Sequence, residues 1–216
     1  MYLAKITLHT GKLLPSQLLQ LVDSGEYAMH QWLWERFPEG PQRQFLYRRE
    51  ELQGAFRFFV LSLNPPADSE IFDIQYREFA PALSAGQTLR FSLRANPTVC
   101  KAGKRHDVLM EARHQMRGRV DGPDIWQHQQ QAAKDWLVRQ GELNGFSLRE
   151  VNVDAYRQQQ VIRGKSRQMI QFSSVDYSGE LVVNDPELFL QRLVQGYGKS
   201  RAFGCGLMLI KPGDGE

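Results

Sequence analysis

The sequence predicts an α+β fold built from two successive ferredoxin-like units. Residues 1–80 read in order as strand, helix, strand, strand, short segment, strand. A similar order begins again after a proline- and glycine-bearing linker at 81–87, and occupies residues 88–216. The composition can fill two cores. Of 216 residues 42% are hydrophobic and 24% charged, and 12 Phe, 7 Tyr and 4 Trp supply bulk, so a disordered chain is excluded.

Residues 2–9 alternate apolar and polar, as a half-buried strand does. Residues 15–22 form a short helical or turn segment. The main helix is expected to start near Asp23 or Ser24, where Asp23 and Glu26 have capping-box spacing, and to run to Phe37 before Pro38-Glu-Gly-Pro41. Strands at Gln44–Arg49 and Phe56–Leu63 flank a turn at Gln53-Gly54, and Ile71–Phe79 closes the unit. In the second half, Leu89–Ala95 alternates without a fault. The basic stretch 101–122 has no good period and reads as a long loop. Gly122-Pro-Asp124 opens a helix through Arg139, stopped by Gly141. Val151–Val161 and Gln168–Val175 are strands with Arg163-Gly-Lys-Ser-Arg167 at the turn, and Gly179–Val183 continues as strand. Asp185-Pro186-Glu187 starts a helix to Val194, with proline in its first position, and Leu207–Ile210 is the last strand.

Several function classes drop out. No apolar run approaches the ~20 residues that span a bilayer. The opening residues lack a signal peptide's apolar stretch and cleavage site. Two cysteines, Cys100 and Cys205, make neither a disulfide framework nor a zinc knuckle, so a cytoplasmic setting is expected. His106, His114 and His128 have no zinc-site spacing, the carboxylates form no paired cluster, and there is no Gly-x-Ser-x-Gly elbow. The glycine-rich stretch Gly196–Gly206 fails as a dinucleotide fingerprint, because position 201 is arginine. Gly198-Lys-Ser200 and Gly164-Lys-Ser166 fail as P-loops, with Leu193 and Gln159 where glycine is required.

What remains is charge distribution and one helix face. The formal net charge is only +3, yet residues 101–119 hold Lys101, Lys104, Arg105, Arg113, Arg117 and Arg119 against Asp107 and Glu111. Arg157, Arg163, Lys165, Arg167, Lys199 and Arg201 gather in the second half, at strand ends and loops that a polyanion could reach. Gly196, Gly198, Gly204 and Gly206 would let backbone approach a phosphate chain, or else serve tight helix–strand packing. On the first helix Met29, Leu33 and Phe37 share the core side, while Tyr27, His30 and Trp34 fall on another stripe. Tyr27 and His30, three residues apart, therefore project together. Histidine there suits proton transfer near neutral pH, unless it is merely a surface residue.

Met1-Tyr-Leu3, the helix Tyr27-x-x-His30-x-x-Leu33-Trp34 followed by Phe37-Pro38, Phe91-Ser-Leu-Arg-Ala-Asn-Pro97, Gly164-Lys-Ser166 and the terminal Lys199-Ser-x-x-Phe203-Gly-Cys-Gly-Leu207 occur in this order along the chain. In these the sequence resembles the CasE (Cse3) family of CRISPR repeat-RNA endoribonucleases, subunits of the type I-E Cascade complex. The resemblance implies tandem ferredoxin-like domains of the RAMP (RRM-like) type. It implies a protein that binds the repeat RNA stem-loop (the future crRNA), cuts once at the stem base without metal or other cofactor, and stays on the product beside other Cascade subunits.

The family's catalytic histidine falls on His30, the tyrosine of some members on Tyr27, and the basic hairpin on Arg163–Arg167. The RNA's own 2′-hydroxyl would be the nucleophile. His30 would act as general acid or base, Tyr27 as orienting partner, and Lys165 or a nearby arginine as electrostatic stabiliser. Arg157, Arg163, Arg167, Lys104, Arg105, Lys199, Arg201 and the glycines 196, 198, 204 and 206 are the expected RNA contacts. A non-catalytic RNA-binding subunit of the same fold is the alternative, and a phosphate-binding metabolic enzyme a third reading.

Overall fold

The computed structural model describes residues 1–37, 45–118, 122–163 and 168–213. Two compact units make up the chain: residues 1–81 with 159–172 and 200–207, and residues 82–158 with 173–199 and 208–216.

The first unit contains β1 (Tyr2–His9), α1 (Pro15–Trp34), β2 (Phe45–Leu52), β3 (Ala55–Ser62) and β4 (Phe72–Glu78). The strands form one antiparallel sheet in the order β2-β3-β1-β4, the ferredoxin-like arrangement. In β1, Ala4, Ile6 and Leu8 are buried on one face, and the same face of the sheet carries Phe45, Tyr47, Phe58, Val60 and Phe72. Leu52 pairs with Ala55 across the expected Gln53-Gly54 turn, and Gly54 has the left-handed backbone (φ 70°) such a turn asks for.

The helix breaks at Gly25 (φ 45°, ψ −117°), close to the boundary expected at Asp23 or Ser24. Its first part begins with Pro15, and the Gln17 side chain accepts from the Leu14 backbone N–H at 2.8 Å. Its second part buries Ala28, Met29, Trp32 and Leu33. Regular helix stops at Trp34 rather than Phe37. Arg36 and Phe37 N–H groups donate to the carbonyls of Leu33 and Trp34, at 3.1 and 3.0 Å, so the last turn tightens to a 3-10 pattern and Phe37 still reaches the core. The expected capping box rests on the Glu26 side chain, which lies outside the described residues.

The second unit repeats the plan with an insertion. It holds β5 (Thr88–Ala95), β6 (Thr98–Lys101), β7 (Lys104–Asp107), α2 (Val108–Gln115), α3 (Gly122–Leu143), β8 (Phe146–Arg163), β9 (Gln168–Val183), α4 (Pro186–Gln195) and β10 (Met208–Pro212), the tips of β8 and β9 counting with the first unit. The main sheet runs β10-β5-β9-β8, the same ferredoxin-like order. Leu89, Phe91, Leu93 and Ala95 alternate inward along β5. In α4, Asp185 caps the Leu188 N–H at 3.0 Å while Phe189 and Leu193 are buried.

The second unit departs from expectation at two places. Residues 101–118 are not a long loop: they hold the end of β6, β7 and the helix α2. The hairpin turns on Ala102 (φ 48°) and Gly103 (φ 75°), two successive left-handed residues as a type I′ turn requires. Asp107 then caps α2 by accepting from the Met110 N–H at 2.7 Å, and Val108, Leu109 and Ala112 are buried. Gly141 does not stop α3. It sits inside the helix because a Cβ there would come within 2.5 Å of the Phe146 carbonyl oxygen; the glycine lets β8 begin directly against the helix.

Candidate active site

Burial of one face of α1 dictates what the opposite stripe presents. Met29 and Leu33 are anchored in the first unit's core, each worth roughly 1.5–3 kcal/mol of apolar burial. Rotation by 100° per residue then carries Tyr27, His30, Gln31 and Trp34 to the margin of that core, with Trp34 still packed against it. All four line a cavity of about 580 Å³ with Glu35, Ile170 from β9, and Ala202 and Phe203 from the glycine-rich segment. Tyr27 and His30, three residues apart, thus line one cavity, and the glycine-rich segment contributes one of its walls.

His30 is half-buried in an aromatic cluster. Its ring centroid lies 5.9 Å from those of Trp34 and Tyr47, 6.3 Å from Phe45 and 6.4 Å from Phe203. The Tyr47 ring is nearly parallel to the imidazole (26°), and its hydroxyl donates to the Ala202 carbonyl at 3.0 Å. Ala202 and Phe203 belong to a single 3-10 turn, Arg201–Phe203, which follows Ser200 (φ 54°) and is followed by Gly204 (φ 75°). A Cβ on Gly204 would meet the Tyr47 ring at 3.3 Å. The glycine thus allows the turn to lie against Tyr47, and Tyr47 in turn lies against His30. The Phe203 ring is itself stacked on Phe172, 5.4 Å between centroids at 23°. Ring packing on this scale restricts the imidazole to few orientations.

The other expected site residues are distributed as follows. Lys165 and Arg167 lie outside the described residues, as does the Arg163 side chain. Arg157 pairs with Asp176 at 2.7 Å, and Asp176 also takes a bidentate contact from Arg94 at 2.7 and 3.0 Å. Lys104 and Arg105 are exposed on β7, and Lys199 is exposed. The Lys199 backbone N–H donates to the Asn96 carbonyl at 3.2 Å. Gly196, Gly204 and Gly206 are buried, and a Cβ on Gly198 would come within 2.7 Å of the Asn96 oxygen, so close packing alone accounts for glycine there. No lysine or arginine is among the described residues lining the His30 cavity. Tyr47, Phe203 and Ile170 join the site without any signal in the local sequence pattern, because only folding brings them to the helix; Gln31 and Glu35 follow Tyr27 in successive four-residue steps along α1 and its cap, a spacing visible in the sequence.

Among the described residues, no group of three or more His, Cys, Asp and Glu side chains could hold a metal ion, and no helix is long and apolar enough to cross a membrane.

Tandem ferredoxin-like sheets in one chain are an architecture shared with solved proteins. The family model described as CRISPR associated protein matches residues 1–212, and the chain belongs to that family. Within it, the chain is 30% identical over 194 residues to the CRISPR system Cascade subunit CasE of Escherichia coli, covering 86% of this chain and 92% of that protein. It is 31% identical over 209 residues to the CRISPR-associated endoribonuclease Cse3 of Thermus thermophilus, covering 86% and 90%. A solved structure of CRISPR endoribonuclease Cse3 bound to 19 nt RNA superposes with TM-score 0.75 at 27% identity, over 98% of this chain and all of that one.

Proposed function

We propose that this protein is an endoribonuclease that recognises the stem-loop of CRISPR repeat RNA, cuts the precursor at the base of the stem, and remains with the product as a Cascade subunit. The observation that carries the reading is the joint exposure of His30 and Tyr27 in one cavity of the first unit. Support comes from the relatives, one named an endoribonuclease and one a Cascade subunit, and from the likeness to a Cse3 structure holding RNA.

RNA carries its own nucleophile, so the enzyme has three tasks. It aligns the 2′-hydroxyl with the scissile phosphorus and the departing 5′-oxygen, moves two protons, and offsets charge on the pentacoordinate phosphate. His30 serves as general acid or base. Imidazole is the side chain best suited to proton transfer in general, and the aromatic surroundings fix this ring. Tyr27, one helical turn away, hydrogen-bonds and orients the reacting group. Lys165 or a nearby arginine of the 163–167 hairpin stabilises the phosphate. The basic residues at 104–105, 157–167 and 199–201 hold the stem by its phosphates. The products are a 2′,3′-cyclic phosphate, or its opened form, and a 5′-hydroxyl. The reaction proceeds in the cytoplasm without a metal ion.

Incubating repeat hairpin RNA with wild type and His30→Ala in excess EDTA tests this. Single-site cleavage by wild type, reduced on the order of 10²–10⁴-fold in the variant with binding retained, is expected. An RNA carrying 2′-deoxyribose at the cut should resist both proteins; its cleavage would refute the nucleophile. Binding without cleavage by wild type would leave a non-catalytic RNA-binding subunit.

A further inference from the structure

The cavity beside His30 is larger than phosphate chemistry requires, and the described residues that line it include no lysine or arginine. At about 580 Å³ it falls in the roughly 300–1,000 Å³ range of pockets that enclose small organic molecules. Among the described residues beyond His30 and Tyr27, its walls are apolar apart from Gln31 and Glu35. Trp34, Phe203 and Ile170 supply flat and aliphatic surface, and Gln31 and Glu35, four residues apart on one helix stripe, supply the polar rim. The Glu35 carboxylate has the Arg36 guanidinium 3.6 Å away, but remains 61% exposed. No lysine or arginine is among the described lining residues, and a carboxylate on the rim offers a phosphodiester no donor. It accepts hydrogen bonds from an amino-bearing base edge. Phe203 is held in place by its stack on Phe172, which makes it a rigid platform of the kind that bases stack upon.

Resting on the function proposed above, we infer that this cavity receives one unstacked nucleobase bearing an exocyclic amino group, from a nucleotide flanking the scissile phosphate. The base lies against Trp34 and Phe203 and donates to Glu35. Extruding the base would bring its ribose and the adjoining phosphate towards His30 and Tyr27, which line the same cavity. Phe203, Trp34 and Glu35 are thus specificity-determining and positioning residues; they touch the base, not the reacting atoms.

Single-turnover cleavage of repeat hairpins carrying one abasic nucleotide, placed 5′ or 3′ of the cut, tests the inference against wild type and Phe203→Leu. At one of the two positions the abasic RNA should be cut on the order of 10- to 100-fold more slowly by wild type. Phe203→Leu should slow the intact RNA comparably and add no further loss on that abasic RNA, because the two changes remove the same stack. Glu35→Ala, a change at an exposed position, covers the case in which Phe203→Leu fails to fold. It should erase the preference for an amino-bearing base over uracil at the same nucleotide. Equal cleavage of intact and abasic RNAs by wild type overturns the inference, as do fully multiplicative effects of Phe203→Leu and the abasic site. A wild type that does not cut intact RNA overturns the parent reading instead.

Discussion

Tyr47 ties the glycine-rich segment to the candidate catalytic histidine. Its ring lies alongside His30 and its hydroxyl donates to Ala202, 155 residues away in sequence. Tyr47→Phe keeps the ring and deletes the hydrogen bond, whose net worth is about 0.5–1.5 kcal/mol. If Tyr47 positions the imidazole, the variant should cut repeat RNA on the order of 2- to 10-fold more slowly, with the loss in kcat rather than KM and a displaced pH–rate profile. A uniform loss in KM alone would show a role in binding. Gly204 is constrained from two directions, by its left-handed backbone (φ 75°) and by the Tyr47 ring that a Cβ would meet at 3.3 Å. Gly204→Ala should therefore lower stability by about 1 kcal/mol or more, read from the urea midpoint. Tyr27 and His30 were legible in the sequence because helix geometry links residues three apart. Tyr47 and Phe203 were not, because no local rule relates them to position 30.

Legibility at the level of elements followed the length and regularity of each pattern. The alternation of Leu89–Ala95, the turn at Gln53-Gly54 and the proline-led helix at Asp185 each matched a strong local preference, and each element lies where it was expected. Residues 101–118 were misread because two four-residue strands and an eight-residue helix are each shorter than the window over which a period shows, and basic side chains interrupt them. The cue was Val108-Leu109 with Ala112, one turn of buried stripe behind Asp107. Asp107 serves two elements: one oxygen caps α2 and the other takes the Ser173 hydroxyl. Asp107→Ala should destabilise the fold by about 1–2 kcal/mol, measured by denaturant titration. Lys101 donates to Glu111 at 2.5 Å and, with Gln115, holds that carboxyl below its usual pKa, which fastens α2 to the end of β6. Gly141 offers a sharper test, since two effects oppose each other. Alanine is favoured over glycine in a helix by about 1 kcal/mol, but its Cβ would lie 2.5 Å from the Phe146 carbonyl oxygen, and relieving such overlap costs roughly 1–3 kcal/mol. Gly141→Ala should lower the thermal midpoint; a rise would mean that β8 shifts freely.

For the molecule as a whole, alkaline pH probes the packing of the second unit. Tyr177 and Tyr197 are buried, and burial raises both phenols well above their ordinary pKa of 10.0. A raised pKa means that the folded chain keeps these protons where the unfolded chain has lost them. Their contribution to stability is complete below about pH 10 and falls as pH rises beyond it. The urea midpoint should be level from about pH 8 to 9 and decline steeply above about 10. The Tyr197 hydroxyl has no hydrogen-bond partner among the described residues, so Tyr197→Phe should raise stability by about 1 kcal/mol and flatten that decline. The Tyr177 hydroxyl donates to the Ala133 carbonyl at 3.1 Å, and Tyr177→Phe should not stabilise. The tandem ferredoxin-like plan was readable from element order alone. The interleaving of the two units was not, since nothing in the local pattern of residues 159–172 and 200–207 assigns them to the first unit. That interleaving has a consequence during synthesis. A ribosome delivers His30 early, yet Ile170, Ala202 and Phe203, which wall its cavity, emerge far later. Nascent protein therefore carries the histidine well before the residues that wall its cavity have been made, and that cavity can close only once they fold back onto α1.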